Sequence, residues 1–193
     1  MIKSSHLNTN TSATHDDHIL TMIQNDSERD KGFKILMDKY QSSMYQHIRR
    51  IVVHHEEAAD VLQNVWIKIL RAIPSFKGES SLYTWMYRIC TNESLTHLRK
   101  QNRRKTQSIE DADDGLRKQA AGTDIDGDEI KAKLRQAILL LLEKQKLVFS
   151  LRYFEDMNYS DMSEVLGTSV GGLKASYHHA VKKIEAYIKQ QNA

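Results

Sequence analysis

The chain has little of what stabilises small secreted domains or membrane proteins. Among its 193 residues there is one cysteine and one proline. A lone Cys90 excludes an intrachain disulfide and indicates a reducing compartment. The longest apolar run, residues 137–142, is far shorter than the roughly 20 residues that span a bilayer, and the polar N-terminus lacks the apolar segment of a signal peptide. We therefore expect a cytoplasmic protein without membrane insertion.

The scarcity of proline and glycine favours helices, and no alternating β-branched run predicts a sheet. Residues 1–15 are rich in Ser, Thr and Asn and are predicted to form a loose tail. Apolar residues then recur with helical spacing, first at Ile19, Leu20 and Ile23 and then over three longer stretches. This predicts four helices, the last three near 28–53, 56–72 and 80–104. Pro74 is expected to stop the helix before it or to close the following turn. Residues 16–105 thus form one predicted helical domain.

Charge is distributed unevenly although the net charge is only +3. Residues 97–105 include five Lys or Arg and no acid, whereas residues 110–129 include eight Asp or Glu. The periodicity is lost over 106–129, which predicts a flexible acidic linker. Helical spacing returns over 130–193. The fold prediction is all-α, with two small helical domains joined by that linker.

The second domain has the pattern of a helix–turn–helix, with helices over 159–167 and 170–188. Gly167 is placed where the turn needs a positive φ, and Ser169 is placed to cap the second helix. The outward positions of that helix are Lys174, Ala175, Ser176, His178, His179, Lys182 and Lys183. Such side chains contact phosphates or base edges in a major groove. An ordinary antiparallel helix pair with a solvated basic face fits the spacing equally well.

The helix over 80–104 combines aromatic and basic side chains. Tyr83 and Tyr87 lie four residues apart, on a flank away from Trp85, with Arg88 and Asn92 nearby. Aromatic rings stack on exposed bases and cations neutralise phosphates, which suits a separated DNA strand. Alternatively, the tyrosines cover the edge of the core and the cations form a solvated helix end. The density of cations beside the aromatic surface favours nucleic-acid binding.

The polar face of the helix over 56–72 contains one apolar residue, Ile67. This combination fits a protein-binding surface or plain solvent exposure, and the residues alone leave both open. Adjacent residues such as His54 and His55 point to different sides of a helix and do not predict a metal site. The acidic segment 124–129 has its glycine at the wrong position for a calcium loop. No catalytic motif is found, so we expect a non-enzyme without metal or cofactor.

Residues 56–104 resemble the second conserved region of the extracytoplasmic-function (ECF) group of bacterial sigma factors. They contain the D-x-x-Q-x-x-W pattern from Asp60 to Trp66, the loop FKGESS over 76–81, the core TWMYRI over 84–89 and a late Asn92. Residues 139–184 are similar to the fourth region of that family. The predicted linker falls where the family has one.

The resemblance implies a role for each surface. The core RNA polymerase would bind through its clamp coiled coil to Asp60, Gln63, Asn64 and Ile67. The loop over 76–81 would capture a flipped base of the −10 element, and the helix after it would hold the non-template strand. The residues assigned to the −10 element are Phe76, Lys77, Ser80, Ser81, Tyr83, Tyr87, Arg88, Asn92, Arg99, Lys100, Arg103 and Arg104. Those assigned to the −35 element are Ser169, Lys174, Ala175, His178, His179 and Lys182.

The fourth region departs from the family pattern. Lys146 replaces an arginine, and the recognition helix begins Gly171-Gly172-Leu173 where the family has Gly-Thr-Val followed by several arginines. Fewer bidentate arginine contacts predict weaker guanine readout.

The resemblance predicts a transcription initiation factor that binds core polymerase, directs it to promoter DNA and melts the −10 element. The second domain would also touch the polymerase flap, and an anti-sigma factor is an expected partner. One alternative is an autonomous helix–turn–helix regulator of duplex DNA. Another is a helical interaction protein whose basic run is incidental.

Overall fold

Eight α-helices and one short 3₁₀ turn make up the part of the chain that the computed structural model describes, residues 9–107 and 129–191. In chain order the helices are α1 (Thr9–Gln24), α2 (Arg29–Val52), α3 (His55–Ala72), α4 (Leu82–Gln107), α5 (Glu129–Leu139), α6 (Glu143–Tyr153), α7 (Tyr159–Leu166) and α8 (Val170–Gln191). No strand occurs in these two ranges, and the all-α prediction is confirmed. Residues 108–128, most of the predicted linker, lie outside them. Within them, no helix has both the length and the apolar composition to cross a membrane.

The first helix begins at Thr9, inside the segment predicted as a loose tail. It packs on α2 and buries Ile19 and Ile23. Its Asp16 carboxylate accepts hydrogen bonds from Lys39 Nζ at 2.6 Å and from Tyr40 Oη at 2.7 Å. These partners lie on α2, so the polar composition of the N-terminal segment gives no sign of the contact.

The predicted helices of the first domain are observed as α2, α3 and α4, with ends within three residues of the prediction. Their apolar stripes meet in a core that contains Leu36, Ile48, Val65 and Met86, all buried. Pro74 lies in the 3₁₀ turn Ile73–Ser75 that follows α3, because a proline cannot continue the helical hydrogen bonds. Beyond this turn, Ser81 Oγ caps α4 by accepting from the backbone N–H of Thr84 at 3.0 Å.

The helix–turn–helix geometry of the second domain is as predicted. Gly167 ends α7 with a φ of 59°, in the left-handed region that glycine adopts without strain. Ser169 Oγ accepts from the backbone N–H of Gly172 at 3.3 Å and so caps α8. Phe149 of α6 and Ile184 of α8 belong to a small core of this domain.

The two domains also share a larger apolar core, which the sequence did not predict. Helix α7 lies against α4, and α6 lies against α2. Seven buried residues of the second domain join the core of the first: Leu147, Val148, Leu151, Met157, Met162, Val165 and Leu173. The second domain therefore rests on the face formed by α2 and α4.

A histidine is buried between α2 and α4. His47 Nε2 lies 2.9 Å from Thr91 Oγ1, and His47 Nδ1 has no hydrogen-bond partner among the described residues. Burial lowers the pKa of His47 to about 3, with a smaller effect from the charge of Arg50. The ring is therefore neutral at physiological pH.

This pKa predicts a loss of stability in mild acid. His47 takes up a proton near pH 6.5 in the unfolded chain but only near pH 3 in the folded chain. The contribution of neutral His47 to the free energy of unfolding is therefore complete above pH 6.5 and declines as the pH falls below it. Between pH 7.5 and 5.5 the loss from this residue is about 1.4 kcal/mol. Urea unfolding of wild type and His47→Gln at both pH values measures it, because glutamine does not titrate. Equal losses in the two proteins would contradict the assignment.

Gly32 marks a close approach of α1 and α2. A Cβ added there would lie 2.9 Å from Met22 Cβ and 3.0 Å from the backbone N of Ile23. We predict that Gly32→Ala lowers the free energy of unfolding by about 1–3 kcal/mol, because neither atom can move without shifting α1. Gly171→Ala is the matched control, since a Cβ there meets no atom within 4 Å. That control should be neutral or stabilising by up to about 1 kcal/mol. A Gly32→Ala protein as stable as the control would contradict the close approach.

Candidate nucleic-acid and partner interfaces

The residues assigned to polymerase binding lie together on one exposed face of α3. Asp60, Gln63, Asn64 and Ile67 are all exposed, and their spacing of three and four places them in one row. Ile67 is 40% exposed, an unusual position for an isoleucine on a polar face.

An apolar groove runs beside that row, between α2 and α3, and we call it the α3 groove. It has a volume of about 400 Å³ and is lined by Phe33, Met37, Leu62, Trp66, Ile67 and Leu70, among others. The Phe33 and Trp66 rings meet edge to face, with centroids 5.9 Å apart. This groove was not predicted from the sequence. Leu70, a second apolar residue three positions after Ile67 on the same helix, could have indicated it, and its side chain is 47% exposed.

The loop between the 3₁₀ turn and α4 borders a second depression, the loop cleft, of about 520 Å³. The Phe76 ring packs against Trp85, with centroids 5.2 Å apart, and forms an aromatic wall. Lys77, Ser80 and Arg88 provide hydrogen-bonding groups around it. Ser81 is exposed at the end of the loop and caps α4, as described above. Aromatic rings beside polar donors are what a flipped base requires.

Beyond the loop cleft, α4 presents further exposed basic and polar side chains. Arg88 and Asn92 are exposed and lie one turn apart. Two further pairs with the same spacing follow on exposed positions: Arg99 with Arg103, and Lys100 with Arg104. We call these four residues the basic rows. Helical geometry places them as two short lines of positive charge, which suits a phosphate backbone.

Two aromatic residues assigned to the −10 element, Tyr83 and Tyr87, lie at the contact with the second domain and not on an open surface. Tyr87 is fully buried, and Tyr83 is partly buried with its ring centroid 4.3 Å from that of Tyr87. Tyr87 Oη donates to Glu155 Oε2 at 2.6 Å, and Tyr83 Oη donates to the backbone oxygen of Glu155 at 3.3 Å. Burial raises the pKa of both phenols, and Glu155 raises them further. In this conformation the two tyrosines contact the second domain and cannot stack on a DNA strand.

The residues assigned to the −35 element share one exposed surface, the α8 face. It consists of Ser169, Lys174, Ala175, His178, His179 and Lys182, all exposed. Lys174 Nζ also lies over the Tyr159 ring of α7, 5.8 Å from its centroid. The recognition helix thus has lysines and histidines, but no arginine, on its outer side.

Two acidic residues of the second domain were missed by the sequence analysis. Glu155 lies in the turn between α6 and α7, and Glu164 of α7 borders the loop cleft. Neither belongs to a periodic pattern or a motif. Glu155 has its partners on the first domain, and Glu164 lines a cleft whose other lining residues belong to that domain. Among the described residues, no group of three or more His, Cys, Asp or Glu is placed to hold a metal ion. The acidic segment 124–128 lies outside those residues.

Both domains match known families. A Sigma-70 region 2 family matches residues 36–104, which span α2 to α4, and a Sigma-70, region 4 family matches residues 131–184 in the helix–turn–helix domain. The RNA polymerase sigma-H factor of Pseudomonas aeruginosa is 33% identical over 179 residues, which cover 88% of this chain and 92% of that protein. The ECF RNA polymerase sigma-E factor of Escherichia coli K12 is 28% identical over 164 residues, or 80% and 85% of the two chains.

Solved structures share the fold. The sigma factor RpoE from Bartonella quintana, in complex with the anti-sigma factor NepR, superposes with a TM-score of 0.71 at 21% identity, over 82% of this chain and 98% of that one. CnrH, in complex with the cytosolic domain of CnrY, gives a TM-score of 0.67 at 17% identity, over 91% and 97% of the two chains. Matches on both domains and the identity to full-length relatives establish the family: the chain belongs to the ECF subfamily of sigma-70 RNA polymerase sigma factors, which act in transcription initiation.

Proposed function

We propose that this sigma factor binds core RNA polymerase through α3, holds the separated −10 strand with the loop and α4, and contacts the −35 element with α8. It does so in the cytoplasm and without a catalytic step of its own. The observation that supports this best is the order of exposed surfaces on the first domain. The α3 groove, the loop cleft and the basic rows involve α3, the loop after it and α4 in turn, so the proposed polymerase contact and strand capture lie on consecutive elements.

The α3 groove supports polymerase binding because it combines an apolar centre with a polar edge. Trp66 and Leu70 form the apolar part, while Asp60, Gln63 and Asn64 form the edge. Specific protein interfaces have this composition. A groove of this kind accepts one face of a partner helix, as the clamp coiled coil of the polymerase would present.

The loop cleft supports capture of a single base. Unstacking a base costs a few kcal/mol, and a shaped pocket that recovers this cost selects for the base that fits. Phe76 and Trp85 offer ring surfaces for stacking, and Lys77, Ser80 and Arg88 offer donors. Asn92, one turn beyond Arg88, would contact the next part of the strand. The basic rows would then hold the backbone upstream.

The α8 face supports duplex binding with modest base readout. Lysine is a point charge that suits phosphate, whereas bidentate guanine recognition needs an arginine fork. Because this face offers Lys174, Lys182 and His178, we propose that it mainly positions the factor at the −35 element. Leu140 and Leu142, at 65% and 64% exposure in the turn before α6, offer an apolar contact for the polymerase flap.

A regulatory partner is proposed on the same basis. The sigma factors of similar fold were solved in complex with the anti-sigma factor NepR and with the cytosolic domain of CnrY. We propose that this chain is bound by an inhibitor of that type, which would occlude the α3 groove.

Reconstituted transcription tests the proposed function. Purified chain, core polymerase and a library of promoter fragments should yield a defined transcript start that is absent without the chain. An autonomous regulator would instead bind duplex DNA tightly without polymerase, as a dimer on two half-sites. A helical interaction protein would give neither result. Absence of any chain-dependent start would contradict the proposal.

Separate surfaces predict separable defects. Ile67→Glu places a charge in the α3 groove and should weaken core-polymerase binding by about 10-fold or more, because the buried charge has no partner. Asn92→Ala should leave polymerase binding unchanged and reduce strand opening. Fluorescence anisotropy measures the first effect and permanganate footprinting the second. Ile130→Glu, the same change at an isoleucine 73% exposed on α5, is the control for added charge. Equal defects from Ile67→Glu and Ile130→Glu would contradict a specific groove.

The basic rows predict a change in salt dependence. Lys100→Ala should weaken the polymerase–promoter complex equally on different promoter sequences, because a phosphate contact has no sequence preference. It should also reduce the slope of log K against log salt by about 0.7, the value for one contact to a single strand. Binding titrations at salt concentrations from about 50 to about 200 mM give the slope. Lys189→Ala, an exposed lysine near the end of α8, is the matched control and should leave it unchanged. An unchanged slope for Lys100→Ala would show that Lys100 does not contact the phosphate backbone.

A further inference from the structure

A buried carboxylate joins the two domains. The Glu155 side chain is 7% exposed, and both of its oxygens have donors on the first domain. Arg50 Nη1 of α2 lies 2.6 Å from Oε1, and Tyr87 Oη of α4 donates to Oε2 at 2.6 Å. A buried charge is stable only when it is paired and hydrogen-bonded in this way. Separating the domains would expose all three groups to water, and their mutual contacts would be lost.

The residues around Glu155 hold it in this position. Asp156, next in the chain, has a φ of 48°, so the turn reverses sharply after Glu155. Arg152 anchors the turn within the second domain by donating from Nη1 to the backbone oxygen of Met157 at 3.1 Å, and its 3.0 Å ion pair with the exposed Asp156 carboxylate adds little. On the other side, the Arg50 guanidinium lies over the Phe154 ring, 4.0 Å from its centroid. The neighbouring carboxylates therefore have distinct contacts: Glu155 reaches across to the first domain, and Asp156 pairs within its own.

Apolar contacts surround this polar centre. Leu151, Met157, Met162 and Val165 belong to the core that continues into the first domain. Apolar packing is tolerant of small shifts, whereas a charged group with two short hydrogen bonds has one geometry. Glu155 thus fixes which face of the first domain the second domain covers.

The covered face includes two of the residues that the family resemblance assigns to the −10 strand, and it adjoins the rest. Tyr83 and Tyr87 are engaged by Glu155, and α7 lies along α4. Glu164 of α7 borders the loop cleft, whose lining also includes Lys77 and Arg88. A carboxylate at the edge of this cleft repels a phosphate. A DNA strand cannot reach Tyr83 and Tyr87 while the second domain lies on them, although Arg88, Asn92 and the basic rows stay exposed.

We propose that Glu155 is an interdomain latch that keeps the free sigma factor closed, with its second domain on its own −10 surface, until polymerase binding separates the domains. This inference rests on the proposed function of α4 and concerns the regulation of that same surface. Polymerase and promoter bind only the open form, so their affinity is reduced by the fraction of chains that are closed. Weakening the latch should therefore strengthen the binding of core polymerase, although the substitution removes contacts within the sigma factor.

Substitutions at Glu155 test the latch in the full chain. Glu155→Ala removes the carboxylate, and Glu155→Gln keeps its shape without its charge. Asp156→Asn is the matched control: it makes the same charge change one residue away, and asparagine tolerates a positive φ. Small-angle scattering of the free proteins measures their radius of gyration, and anisotropy measures their affinity for core polymerase. Far-ultraviolet circular dichroism checks that the helices remain.

The latch predicts that Glu155→Ala increases the radius of gyration and tightens core-polymerase binding by about tenfold or more. Glu155→Gln should act in the same direction, and Asp156→Asn should match wild type. A wild-type chain already extended in solution would overturn the proposal. So would Glu155 variants that keep wild-type helicity, compactness and affinity.

The two proposals fail separately. If wild type supports no transcript with core polymerase, the proposed function fails, while scattering still determines whether Glu155 closes the chain. If wild type initiates normally and the Glu155 variants change neither compactness nor affinity, the function stands and the latch is wrong.

Discussion

The arrangement of this molecule depends on one buried carboxylate. Glu155 lies between two helical domains, where a charge needs a donor for each oxygen, and Arg50 and Tyr87 provide them at 2.6 Å. This requirement fixes α6 against α2 and α7 against α4, and the apolar core then closes around the polar centre. Removing Glu155 takes this partner from both Arg50 and Tyr87, whereas removing either donor leaves one carboxylate oxygen without it, so the polar centre depends most on Glu155.

The same side chains therefore have two uses that exclude each other. Tyr83 and Tyr87 bind the second domain in the closed chain and are proposed to contact DNA in the open one. The α3 groove and the basic rows remain accessible in the closed chain, since Ile67, Arg99 and Lys100 are exposed. Polymerase could thus touch α3 in the closed chain, but the stable complex, which also uses the second domain, forms only with the open chain. Promoter contact would follow only when the second domain leaves α4, which couples strand capture to holoenzyme formation.

Much of the local structure could be predicted because it depends on local rules. Spacing of apolar residues located α2, α3 and α4, and backbone requirements at Gly167 and Ser169 located the turn between α7 and α8. The rest depends on distant partners. Residues 9–15 were predicted as part of a tail because of their polar composition, yet α1 begins there and continues to Asp16, whose partners Lys39 and Tyr40 lie on α2. Tyr87 had two open interpretations: its ring is buried, and its hydroxyl donates to Glu155, 68 residues later in the chain. The family resemblance supplied the surface roles, yet the closed arrangement of domains followed from neither periodicity nor motif.

Interdomain distance in the free and bound states tests this account most directly. Fluorophores on cysteines introduced at exposed Ser27 and Lys189 report on the two domains, and the native Cys90 does not interfere because burial raises its thiol pKa. Single-molecule energy transfer should show one closed population in the free chain. It should move to a second, distinct population on addition of core polymerase and promoter DNA. A single transfer efficiency, unchanged by polymerase and promoter, would contradict the account.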